Sequence, residues 1–191
     1  MHKFLPLLFL FLPILSFAQD SDWKVFHAYE GKFKIEIPGG LMEEKERVIY
    51  TDIGEITYVT YYYQPATKDA ENALYLVSYC DYPEYSIHSD STALLEDFFN
   101  NTITSAKKSV YGELRFSEAV NYIDYPGKLF RIDYLQGTAT LKSKTFLVEN
   151  RFYNIQIATT RGKSLNNAAD KFLDSFHLIE EIDSSKLDIN H

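Results

Sequence analysis

Asp81, Glu84, His88 and Asp90 fall within one ten-residue stretch. Carboxylates and an imidazole on one connection are the donor set of a bound cation. Their spacing matches no known cation loop. The favoured reading is therefore a solvated acidic connection, in which Asp90 caps the following helix and Pro83 shapes a turn. No metal is assigned. The second group is aromatic: Tyr58, Tyr61, Tyr62 and Tyr63 crowd one stretch, with Tyr75, Tyr79, Tyr82 and Tyr85 close behind. Tyrosine combines apolar area with a hydroxyl and suits interfaces. Two readings stay open: core lining with hydroxyls at the rim, or an exposed patch over residues 58–63. Any binding role is placed on Tyr58, Tyr61, Tyr62 and Tyr63. Cys80 is the single cysteine, so no internal disulfide is available. It sits in an apolar run and reads as a small buried hydrophobe rather than a reactive thiol.

The remaining chemistry is defined by what is missing. No G-x-S-x-G elbow, H-E-x-x-H, phosphate loop, C-x-x-C or dinucleotide fingerprint occurs. His27, His88, His177 and His191 are far apart. No cofactor and no catalytic residue is expected, and the chain reads as a non-enzyme.

The elements that must position these residues follow from period and punctuation. Strands are expected over residues 23–29 and 33–37, where Phe33, Ile35 and Ile37 alternate with polar residues, and over 48–51, 55–64 and 73–81. Leu95, Phe98, Phe99, Thr102, Ile103 and Ala106 recur at three and four, which predicts a helix over 92–110. Asp90 or Ser91 should cap it and Gly112 should stop it. Strands resume at 113–125 and 128–136 around a Pro126-Gly127 turn, then at 138–149 and 151–160. Ser164 should cap a last helix carrying Leu165, Ala168, Phe172 and Phe176. Irregular stretches near 38–47, 64–72 and 82–91 are the first places to look for loop-borne binding.

The N-terminus fixes the expected compartment. Met1-His2-Lys3 is basic, Phe4 to Phe17 is almost wholly apolar, and Ser16-Phe17-Ala18 offers small residues for cleavage before Gln19. The run is too short and too proline-broken for a spanning helix. Residues 1–18 are expected to be a signal peptide, 19–179 a single domain and 180–191 a polar tail. The mature chain would be periplasmic or secreted, with no membrane span. Loss of Lys3 takes the net charge from −8 to −9. Such a surface repels phosphate backbones, so nucleic acid is excluded as a partner.

Three segments carry a family resemblance. Residues 30–38 (EGKFKIEIP), 125–132 (YPGKLFRI) and 168–176 (AADKFLDSF) resemble the opening strand pair, a central hairpin and the closing helix of the PsbP-like family. The resemblance implies an α/β/α sandwich, an α+β fold with an antiparallel sheet covered by helices. It also implies a binding or assembly role, since most members are non-enzymatic. The best-known member is an extrinsic subunit of the plant oxygen-evolving complex. No functional residue of the family matches a position here. The expected partner is another envelope protein, and the alternative is a small apolar ligand held between sheet and helix. A less favoured alternative is an enzyme with a dispersed acid–base pair. Intact-mass analysis of protein recovered from its native host should give a chain beginning at Gln19. A mature form retaining Met1 would overturn the export reading.

Overall fold

In the computed structural model of the chain, residues 23–67 and 69–179 are described; the expected leader and the polar tail lie outside the described residues. The strands are β1 (Lys24–Ala28), β2 (Phe33–Ile37), β3 (Glu43–Thr51), β4 (Gly54–Tyr63), β5 (Leu74–Asp81), β6 (Glu113–Tyr122), β7 (Tyr125–Tyr134), β8 (Ala139–Val148), β9 (Arg151–Thr160) and β10 (His177–Leu178). Helix α1 spans Thr92–Ser109 and α2 spans Asn167–Asp174, with a short 3-10 turn at Arg161–Lys163. Strands β3 to β9 form a seven-stranded antiparallel sheet in the order β3-β4-β5-β9-β8-β7-β6, and β1-β2-β10 form a second, three-stranded sheet.

Alternation along each strand assigns its side chains to one of two cores. Tyr75, Val77 and Tyr79 of β5 and Tyr153, Ile155 and Ile157 of β9 face the small sheet and α2. Cys80 and Phe152 face the other way, toward Phe99 of α1. The same helix covers Phe130 and Ile132 of β7 with Ile103. Its i, i+4 stripe therefore crosses the sheet, as the period of the sequence predicts. The α+β expectation holds. The layers differ in detail from a simple α/β/α sandwich: α1 alone covers one face, while the small sheet and the eight-residue α2 share the other. Among the described residues no helix is long and apolar enough to cross a membrane.

Several boundaries correct the sequence reading. The turn between β6 and β7 falls on Ile123 and Asp124, with Ile123 at φ +54°, and Pro126-Gly127 lies inside β7. Pro126 is tolerated because the β8 ladder begins only at Gly127, so no pairing on that side needs its missing N–H. Gly127 serves close approach, since a Cβ there would lie 2.6 Å from the Phe146 ring. The residue that leaves α1 in a left-handed conformation is Tyr111, at φ +51°. Gly112 follows it and lets Asp133 O approach to 2.8 Å of where a Cβ would stand. Ser91 is the N-cap of α1, but its hydroxyl accepts from His88 N (3.2 Å) rather than from a helix amide, and Asp90 does not cap. For α2 the cap is Asn166, whose Oδ1 accepts from Ala169 N (2.7 Å). Ser164 ends the 3-10 turn instead, and Leu165 is exposed. Strand β3 starts at Glu43, inside the stretch expected to be irregular.

The small sheet is seated by Phe33, which has no solvent exposure. Its ring lies 5.6 Å from Phe176, 5.9 Å from Tyr61, 6.1 Å from Tyr153 and 6.4 Å from Tyr79. Phe33→Ala should cost about 3–5 kcal/mol by denaturant unfolding, the range for a large ring removed from a packed core. A loss below about 1 kcal/mol would show that the small sheet does not depend on it.

Candidate functional site

The four tyrosines do not form one patch. Strand β4 sends Tyr61 and Tyr63 to the face of the small sheet and Tyr58 to the face of α1. Tyr61 is only 7% exposed, beneath Phe26 (5.0 Å between rings) and Phe33. Tyr58 hydrogen-bonds to Tyr82, with the two hydroxyls 3.1 Å apart. Tyr62 donates to Glu43 Oε2 on the neighbouring strand at 2.6 Å. Of the two open readings for residues 58–63, Tyr58, Tyr61 and Tyr63 follow core lining, while Tyr62 stays at the exposed edge beside Glu43. Consecutive side chains of a strand must point to opposite faces, so the four rings cannot share one surface.

The acidic connection is likewise divided. Asp81 takes a two-pronged ion pair from Arg151, Nε to Oδ1 at 2.5 Å and Nη2 to Oδ2 at 2.6 Å. His88 Nδ1 pairs with Asp90. Among the described residues no three His, Cys, Asp or Glu side chains gather as a metal set. Cys80 is fully buried, and burial pushes its thiol up to about 12.

Tyr63 leads to an open cleft on the face of the small sheet. It is the last β4 residue paired with β5, opposite Tyr75, and the two rings stack at 6.2 Å. Trp23 meets Tyr75 edge-on at 6.3 Å, and Lys171 Nζ sits 4.5 Å over the Trp23 ring. Gly39 and Gly40 follow β2 at φ +73° and +77°. Any Cβ on Gly40 would overlap the Tyr63 ring, so glycine is what allows this loop to close down on it. Between these loops lies an open cavity of about 560 Å³ lined by Pro38, Tyr63, Pro65, Glu71, Tyr75 and Ala168, among others. A second cavity of about 310 Å³ shares Pro65, Thr67, Ala70 and Glu71 on the other side of the 64–72 loop.

That loop is held at its base by polar contacts. Buried Asn72 and the cap residue Asn166 exchange amide hydrogen bonds of 3.1 and 3.0 Å, and Asn72 Nδ2 also donates to Tyr75 Oη. Lys163 Nζ donates to the carbonyls of Asp69 and Ala70. Burial raises the Tyr75 hydroxyl above its ordinary value, a shift opposed by the Asn72 bond and reinforced by Glu71. Tyr75 therefore stays protonated at physiological pH. Such a cleft accepts an apolar or aromatic group and offers hydroxyl and carboxylate partners at its edge. Of the sequence-derived site residues only Tyr63 lines it. Tyr75, Asn72 and Asn166 were not singled out as site residues, although the 38–47 and 64–72 loops that form the mouth were.

No family model matches the chain, and no curated protein matches it in sequence. Among solved structures it resembles the solution structure of cyanobacterial PsbP (CyanoP) from Synechocystis sp. PCC 6803, with a TM-score of 0.52 at 10% identity over 83% of this chain and 93% of that one. The fold is PsbP-like. A Pseudomonas aeruginosa protein of unknown function is a weaker match, with a TM-score of 0.35 at 14% identity over 74% of this chain and 85% of that one.

Cys80 gives a pH test of this packing. Its folded pKa is raised, so its contribution is fully present below the unfolded thiol pKa of about 8.5 and is lost as pH rises toward 12. Across that window wild-type stability should fall by about 1.4 kcal/mol per pH unit more than that of Cys80→Ala. Parallel pH profiles for the two proteins would show that the thiol is not held neutral.

Proposed function

We propose that this chain is an exported, non-catalytic binding or assembly protein that holds an apolar or aromatic group of another envelope protein in the Tyr63–Tyr75 cleft. The observation that carries the reading is the cleft itself. Rigid aromatic and proline walls are placed at the loop-bearing end of the sheet, and the loop is fixed from below by Asn72 and Asn166. Preorganised walls of this kind lower the ordering cost of binding. Export is supported by the leader pattern of residues 1–18. A non-catalytic role is supported by the sequence, in which no catalytic motif occurs. The PsbP-like fold agrees with this role without fixing it.

The cavity volume also favours a second reading, in which a small apolar ligand fills the same cleft. The two readings separate in one experiment. A photo-crosslinking residue at Thr67, on the rim of both cavities, is introduced in the native host. One dominant envelope protein should be captured, and Tyr63→Ala should reduce capture about tenfold or more. Capture that Tyr63→Ala leaves unchanged would overturn the cleft as the docking site. No protein captured, together with a small molecule retained in native mass spectra, would establish the second reading.

A further inference from the structure

A second cleft, of about 330 Å³, opens at the same end of the large sheet and is lined by Tyr111, Glu113, Arg115, Asp133, Tyr134, Gln136, Gly137 and Arg161. At its base lies Asp133, a buried carboxylate. Asp133 Oδ2 accepts from Arg115 Nε at 2.9 Å, and Oδ1 accepts from Arg131 Nε and Thr140 Oγ1, each at 3.0 Å. Burial alone would raise this carboxyl, but the Thr140, Arg131 and Arg115 hydrogen bonds outweigh it and hold it below its ordinary value. It is therefore a fixed negative charge that aims two guanidinium groups.

Three features show that these groups are arranged and not merely collected. First, β6 carries a register shift between Leu114 and Phe116 that skips Arg115. A bulge of this kind re-aims a side chain, and here Arg115 reaches Asp133. Asp133 uses only Nε of Arg115, and among the described residues its Nη edge is met by one carboxylate, an ion pair from Nη2 to the exposed Glu113 at 3.5 Å. Second, Arg161 enters the cleft from the 3-10 turn after β9. Its backbone N–H is bound to Thr138 O, and among the described residues its guanidinium has no carboxylate partner. Third, the β7–β8 turn sits directly against Arg161: a Cβ on Gly137 would lie 3.7 Å from Arg161 Nη1. Arg115, Arg131 and Arg161 face Asp133 and Glu113, which leaves one uncompensated positive charge on an otherwise acidic chain.

We propose that this cleft binds a small oxyanion, a carboxylate or phosphate group, between the Nη edge of Arg115 and the guanidinium of Arg161. A guanidinium edge matches two oxygens of either group, and Tyr111 and Tyr134 line the same cleft.

The test is a titration of the isotope-labelled full chain with inorganic phosphate and, separately, with succinate. Both are read at the Gly137 and Arg161 amides against sodium chloride of equal ionic strength. Saturable shifts with either probe are expected, weakening as salt rises. Phosphate alone would mark a phosphoryl ligand, and succinate alone a carboxylate. Arg161→Gln should weaken the affinity about tenfold or more, while Arg161→Lys should retain part of it. Among the described residues Arg161 makes no side-chain hydrogen bond or ion pair, so this variant tests the site without removing a contact of the described fold. Arg115→Gln should have the same effect, with its folding checked by its own melting curve. Linear shifts reproduced by chloride would overturn the proposal. So would saturable binding unchanged in Arg161→Gln and Arg115→Gln.

Discussion

The structure depends on how one hairpin is seated. Among the described residues, strands β1 and β2 pair only with each other and, through β2, with the two-residue β10, with no ladder to the large sheet. What holds them is the Phe33 ring, closed in by Phe26, Tyr61, Tyr79, Tyr153 and Phe176. Edge-to-face contacts among such rings add a directional component to the area buried. The seat also needs Gly31. A Cβ there would lie 2.7 Å from Phe33 and 2.8 Å from Tyr79, and its carbonyl accepts the buried Tyr153 hydroxyl at 2.8 Å. Arg151 closes the rim, bridging Asp81 and the Glu30 carbonyl and lying 4.9 Å above the Tyr79 ring.

That seat determines where β2 ends. Strand β2 starts at Phe33 and delivers Pro38-Gly39-Gly40 to the opposite end of the sheet, against Tyr63. The same end holds the start of β3, β5, β6 and β8 and the finish of β4, β7 and β9, because every neighbouring pair is antiparallel. It carries the long 64–72 loop and the 3-10 turn. The other end carries the tight turns at Ile123-Asp124 and Glu149-Asn150 and the 82–91 connection into α1, which is bonded to that second turn through Tyr82 N and Ser89 N.

Much of this was legible in the sequence. The period of two in Phe33, Ile35 and Ile37 marked β2 to the residue, and the period of the 92–110 segment marked α1 to within one. These patterns report burial, which is a local property of the side chain. The misreadings share a different cause. Pro126-Gly127 looks like a turn, yet its place is set by where the β8 ladder begins. Tyr58 to Tyr63 look like one patch, but what covers each face comes from α1 and from β1–β2, far away in the chain. Asn72 and Asn166 are ninety-four positions apart, and Arg115 gains meaning only through a bulge. No local pattern announces partners of that separation.

The 3-10 turn at Arg161–Lys163 ties the two clefts together. Arg161 lines the guanidinium cleft, and two residues later Lys163 lines the smaller cavity and holds the 64–72 loop through Asp69 and Ala70. Both side chains hang from the end of β9, a strand flanked by β5 and β8 inside the sheet and among the most buried of all. A platform of that kind fixes the direction of its side chains far better than a free loop would. It also separates the demands on the chain. The fold can be kept with very little sequence in common, as the 10% identity to the cyanobacterial protein illustrates. The residues at the end of the platform are not required for that core, since Arg161 and Lys163 bury no ring. Binding chemistry can therefore change there while the fold does not.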